Sequence, residues 1–133
     1  MIPDLPPEEE DALHERIVQA VGTGMNQLLP PRFRMAPDGI HGWAIGTCPR
    51  SWPLLDDTGQ VEVERVVMAV ESIMDRLQVY VTVALTVPWP PVEGASPDYF
   101  ACPMAEWSEG RLRIWFASHQ GPVTPIVEVP LVL

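Results

Sequence analysis

Apolar and polar residues follow two rhythms along this chain, and each predicts its own kind of element. Leu13, Ile17, Ala20, Val21 and Leu28 recur at the spacing of one helix face. Pro6 and Pro7 suit the first turn, where a missing N–H costs nothing, and Glu8, Glu9, Glu10 and Asp11 lie at the positive end of the macrodipole. This helix should end at Leu29, because Pro30-Pro31 follows. A second stripe, Val63, Val66, Val67, Val70, Ile73, Met74 and Leu77, predicts a helix with Glu64, Arg65, Glu71, Ser72, Asp75 and Arg76 on its other face. Asp57 or Thr58 is placed to cap it.

The period then changes to two. Val79, Val81, Val83, Leu85 and Val87 alternate with Tyr80, Thr82, Ala84 and Thr86, which predicts a central strand over 78–87 that stops at Pro88-Trp89-Pro90-Pro91. Two hairpins are expected. One spans 32–48 around Pro37-Asp38-Gly39; the other joins 99–107 to 111–118 through Ser108-Glu109-Gly110. A last strand covers 126–133. The predicted order is α-β-β-α-β-β-β-β in a single α+β domain, 1–133, with two amphipathic helices on one face of a mostly antiparallel sheet.

Composition removes several chemistries. All eight basic residues are arginine, so any mechanism needing an ε-amine is excluded: a P-loop lysine, a Schiff-base lysine, a kinase strand lysine. A net charge of −10 opposes binding to a nucleic-acid backbone. One asparagine, no lysine and 16 prolines fit translation from a GC-rich genome, that of a high-GC bacterium or one of its phages. The N-terminal residues lack the basic start and apolar run of a signal peptide, and the apolar run over 78–87 is too short to cross a bilayer. The expected location is the cytoplasm, or a virion if the gene belongs to a phage. Cys48 and Cys102 are expected reduced and largely buried.

Candidate chemistry is sparse. His41, Cys48, Cys102 and His119 offer a zinc-compatible inventory, but they are four singletons on separate elements, so no metal or cofactor is expected. No serine has a nucleophile-elbow neighbourhood. Asp56-Asp57 could hold Mg²⁺ with Glu62 or Glu64, the basis of an alternative reading as a small metal-dependent hydrolase; capping and turn formation account for the pair more simply.

Interfaces are the stronger expectation. Trp89, in its proline-rich loop, is placed to be held outward, and Leu131, Val132 and Leu133 form an apolar end able to pack on a neighbouring chain. The sequence therefore points to a non-enzymatic interaction or assembly protein, such as a phage head–tail component or a small bacterial adaptor or immunity-type protein. Its partner would be another protein or a second copy, in a homo-oligomer or larger assembly, with neither nucleic acid nor membrane involved.

Overall fold

Helix α1 (Pro7–Leu28) turns Leu13, Ile17, Ala20, Val21 and Met25 inward, the spacing that keeps one helix face on a core. The computed structural model describes residues 7–31, 33, 35–36, 39–40, 54, 58, 60–94 and 100–133. The Leu29 N–H donates to the Met25 carbonyl at 2.8 Å, and Pro30 then has no N–H with which to continue. Gly24 lies on the inward face. A Cβ there would sit 2.6 Å from Ile114 Cδ1 and 3.3 Å from Ile114 Cγ1, so the absent side chain sets how closely α1 approaches the sheet. Within the first predicted hairpin, β1 (Met35–Ala36) pairs antiparallel with β2 (Gly39–Ile40). Phe33, just before it, is buried with its ring edge-on to Tyr80 at 6.3 Å.

Helix α2 (Val63–Leu85) corrects two expectations. Its N-cap is Glu62, in extended conformation and without a side-chain cap, rather than Asp57 or Thr58. The chain is fixed there by backbone instead: Glu62 N–H donates to the carbonyl of the fully buried Leu54, and Arg65 and Val66 N–H groups return to the Glu62 carbonyl. The predicted strand over 78–87 is the second correction, because residues 78–85 continue the helix. Leu77, Val81 and Leu85 are four apart, so the core stripe runs on through the alternating segment. Val79 and Val83, which a strand would have buried beside Val81, are instead 54% and 70% exposed. β-Branched residues favour strands only weakly, and extending an existing helix adds one hydrogen bond per residue fixed, so packing decides. Thr86, in left-handed conformation at φ 61°, ends the helix, and Pro88 follows.

The chain next makes β3 (Cys102–Ser108), β4 (Arg111–Ser118), β5 (Gly121–Pro122) and β6 (Val127–Pro130). All pairings are antiparallel; β4 is central, with β3 on one side and β5 and β6 on the other. Glu109 and Gly110 link β3 to β4 with φ of 51° and 78°, the two positive values of a type I′ turn, whose twist suits a two-residue hairpin. The result is an α+β domain with α1 and α2 against a four-stranded sheet, in the order α-β-β-α-β-β-β-β. The element count agrees with expectation although the strand predicted over 78–87 is helical, because the two-residue β5 takes its place.

Inward residues alternate along the sheet: Ala105 and Trp107 on β3, Leu112, Ile114 and Phe116 on β4, Val127 and Val129 on β6. Trp89 packs on this face with its ring edge-on to Phe116 at 5.2 Å, while its N–H donates to Thr82 Oγ1. Trp89 thus points into the core rather than outward; an indole of this size gains more by meeting Phe116 than by standing in water. Leu131 is also interior. Its N–H donates to the Gly110 carbonyl at 2.9 Å, and its carbonyl accepts from Trp107 Nε1 at 2.8 Å, so both its backbone groups belong to its own sheet.

The tight contact at Gly24 gives a test. Gly24→Ala gains about 1 kcal/mol of helix propensity, but forcing Ile114 aside costs about 1–3 kcal/mol. We expect a net loss near 1 kcal/mol, read as a lower urea midpoint at unchanged slope. A midpoint equal to or above wild type would show that α1 does not need this approach.

Candidate docking face of the sheet

A sheet can bind through its edges or through an uncovered face, so the free hydrogen-bonding groups are traced first. In an antiparallel ladder, alternate residues of an edge strand point their N–H and C=O groups outward. Glu71 of α2 accepts from the Ala105 N–H, which fixes Ala105 and Pro103 as outward positions of β3. Pro103 has no donor to offer there, and the buried Gln78 Nε2 donates to the Ala101 carbonyl at 2.7 Å just before the strand. Helix α2 therefore covers this edge at Ala101 and Ala105 with two polar side chains seven positions apart, while Trp107, the next outward position, lies beyond them.

The opposite edge is closed by another device. The Val123 N–H donates to the Phe116 carbonyl at 2.9 Å and the Phe116 N–H donates to Thr124 Oγ1 at 3.0 Å, so Phe116 faces β5 and β6. By the same alternation, Pro122 and Pro130 take outward positions where an amide N–H would otherwise await another chain. Among the described strand residues of this edge, only Glu128 keeps an outward N–H, and it carries a charge. The C-terminal strand is therefore not the open edge its composition suggests. Of the residues expected at an interface, Trp89 and Leu131 are interior, Val132 is 72% exposed and Leu133 is half-buried against the core.

Among the described residues, none covers the face turned away from the helices. Met104 pairs with Trp115, Cys102 with Ala117, and Glu106 with Arg113, while Glu128 flanks Arg113 from β6. The face divides along the strands. At one end Met104, 36% exposed, pairs with half-buried Trp115; Ile126, 53% exposed, directly precedes β6, and exposed Phe100 stands two residues before β3. At the other end Arg113 donates to Glu128 Oε2 at 3.0 Å and Glu106 Oε1 at 3.1 Å, and Arg111 reaches Glu128 at 3.7 Å. Glu128 first and Glu106 second hold the Arg113 guanidinium above its ordinary pKa. Such exposed pairs add little stability but fix the position of long side chains. Together with Ser108 and Glu109 these residues border a recess of about 350 Å³ at the hairpin tip. A second open groove, on α2, is lined by Asp75, Arg76, Val79, Tyr80 and Val83.

Among the described residues the other candidates do not converge. Asp56, Asp57, His41, Cys48, Trp43 and Trp52 lie outside the described residues. His119 and Cys102 are exposed, and among the described residues no three His, Cys, Asp or Glu side chains group as metal ligands. Cys102 corrects the expectation of burial: it alternates with the inward residues of β3 and falls on the outer face. Among the described residues no helix is long and apolar enough to cross a membrane.

Two measurements follow. Burial raises the Glu71 pKa, and the Ala105 N–H offsets this in part. A carboxyl whose folded pKa lies above its unfolded value weakens the fold as pH rises through that interval, and the penalty is absent below it. Glu71→Gln keeps an acceptor for Ala105 without the ionisation penalty. Its stability should match wild type near about pH 3 and exceed it by about pH 7; parallel curves across this range would remove Glu71 as the cause. Glu71→Ala, which leaves the N–H bare, should lose about 1 kcal/mol. For Cys102, we expect a thiol reagent to label it in the folded protein at a rate unchanged by mild denaturant, and Cys102→Ser to abolish that phase. Labelling that waits on unfolding would place Cys102 inside.

No protein-family model matches this chain, and comparison with curated proteins and with solved structures found no match.

Proposed function

We propose that the chain is a non-catalytic interaction protein that engages another protein through the outer face of its sheet. One observation carries this reading. Met104 and Trp115 pair on a face whose neighbouring Glu106, Arg113 and Glu128 form an ion-pair row, and exposed Phe100 and Ile126 stand just ahead of β3 and β6, where strand alternation carries them toward the same face. A solvated antiparallel face normally alternates to polar residues, so large apolar side chains clustered there stand out as contact residues. An aromatic anchor beside ordered charges is also the usual composition of a binding hot spot and its rim. A small adaptor and a subunit of a larger assembly are both roles for such a face.

A neutral apolar dye tests this without a known partner. Nile red should bind wild type saturably and brighten. Met104→Asp combined with Ile126→Asp should weaken binding roughly tenfold, because an apolar contact worth about 1.5 kcal/mol is lost. Both residues are exposed, so stability should stay within about 0.5 kcal/mol. Undiminished binding in the double variant would overturn the reading, and loss only in Val83→Asp would move the docking surface to the groove on α2.

A further inference from the structure

Centred on its own copy, the sheet face opposes like charges or loses water from its charged row. Two sheets packing face to face keep their strands roughly aligned, and an isologous pair then has its two-fold axis either along or across the strands. With the axis along the strands and through the central β4, Arg113 meets Arg113 of the second copy while Glu106 meets Glu128, so the charges opposed on this row are alike. With the axis across the strands through the Met104–Trp115 row, the Glu106–Arg113–Glu128 row is laid on the Cys102–Ala117 row and loses water without gaining a polar partner. A chain of net charge −10 also repels its copy at long range.

Resting on the docking face proposed above, we infer that its occupant is a different protein whose contact surface is basic, with an apolar side chain for Trp115 and a cationic one for the hairpin tip. The charges on the face support this. Arg113 is shared between Glu106 and Glu128, and Arg111 also leans on Glu128, so both guanidinium groups are engaged. Glu109 adds a further carboxylate at the rim of the same recess, leaving three acids to two arginines. A guest cation therefore finds acceptor capacity at Glu106 and Glu109. The Trp115 row and the Glu106 row are two residues apart along the strands, about 7 Å, and Glu109 lies about as far again. The partner must thus present its Lys or Arg about 7–14 Å from its apolar anchor. In an extended segment lying along the strands, that is roughly two to four residues.

The test titrates ¹⁵N-labelled full-length protein with a soluble peptide of Leu-Ser-Arg-Ser repeats, which sets leucine and arginine two residues apart on one face of an extended segment, and with its analogue carrying glutamate for arginine. We expect the arginine peptide to shift the amides of Met104, Trp115, Glu109 and Arg111. Its affinity should fall about tenfold or more between low and high salt, as charge-steered contacts do. It should fall severalfold in Glu109→Gln, which leaves the Arg113 pairs in place, and the glutamate peptide should leave these amides unmoved. Equal binding of both peptides at the face would overturn the basic partner while leaving the docking face intact. Shifts spread over α1 and α2 instead would overturn the inference, because attraction would then follow net charge alone. A sedimentation-detected dimer lost in the Met104→Asp, Ile126→Asp variant would also overturn it, in favour of self-association. If neither peptide touches the face and Nile red also fails there, the docking reading falls as well.

Discussion

Ile114, pressed against the bare backbone of α1 at Gly24, is the contact around which the rest of the domain is arranged. It lies at the middle of the inward row of β4, between Leu112 and Phe116, and each neighbour organises its own end of the core. At the Phe116 end, Trp89 closes the loop after α2 onto the sheet. At the Leu112 end, Trp107 from β3 reaches the Leu131 carbonyl beyond β6, tying together the two strands that flank β4. A wider gap between α1 and β4 would weaken the packing of Ile114 and Val127 on α1, because dispersion contacts fall off within an ångström. Small size at one helix position thus helps to fill the middle of the core between these two ends.

Helix α2 serves the sheet differently. Its apolar stripe packs on the core, while Glu71 and Gln78 satisfy backbone groups on the outward side of β3 and its approach. Burying a carboxylate beside an edge is unfavourable in itself, and the raised pKa of Glu71 records the cost. An unpaired strand edge invites another chain, however, and native sheets accept some loss of stability to prevent that. On the other edge, Pro122 and Pro130 achieve the same end by removing donors, with no charge to bury.

Much of this was legible in the residues. The two helical stripes, the Glu109-Gly110 turn and the α+β class follow from spacing and turn chemistry alone. The segment over 78–87 misleads because leucine and valine at 77, 81 and 85 satisfy a helix while every second residue also satisfies a strand. Only the fact that α2 is already formed at Leu77 separates the two, and that is a tertiary effect. The direction of Trp89 was not legible either, since a proline-bound loop can hold a ring inward or outward and Phe116 lies 27 positions away in sequence. The proposed docking face was legible only in part. The residues announce a turn over Ser108-Glu109-Gly110, but the structure pairs Ser108 with Arg111 and leaves a two-residue turn, and only this register sets Glu106 opposite Arg113 and Met104 opposite Trp115.

The narrowed edges and the open face have opposite consequences for association, and their combination restricts what can bind. Backbone pairing is indifferent to side chains, so an open edge would accept many extended chains. With Pro103, Pro122 and Pro130 at outward positions and α2 along β3, that route is narrowed, which favours contact through side chains on the face. There the apolar end supplies attraction without direction, whereas the Glu106–Arg113–Glu128 row supplies direction with little attraction of its own. A guest that is merely greasy leaves the ionic row under an apolar cover, which costs desolvation; a guest that is merely basic gains little from exposed carboxylates in salt. In the docking role proposed for this face, affinity and selectivity would therefore come from adjacent halves of one surface, and a partner would have to match both halves, in the right order along the strands, to be held.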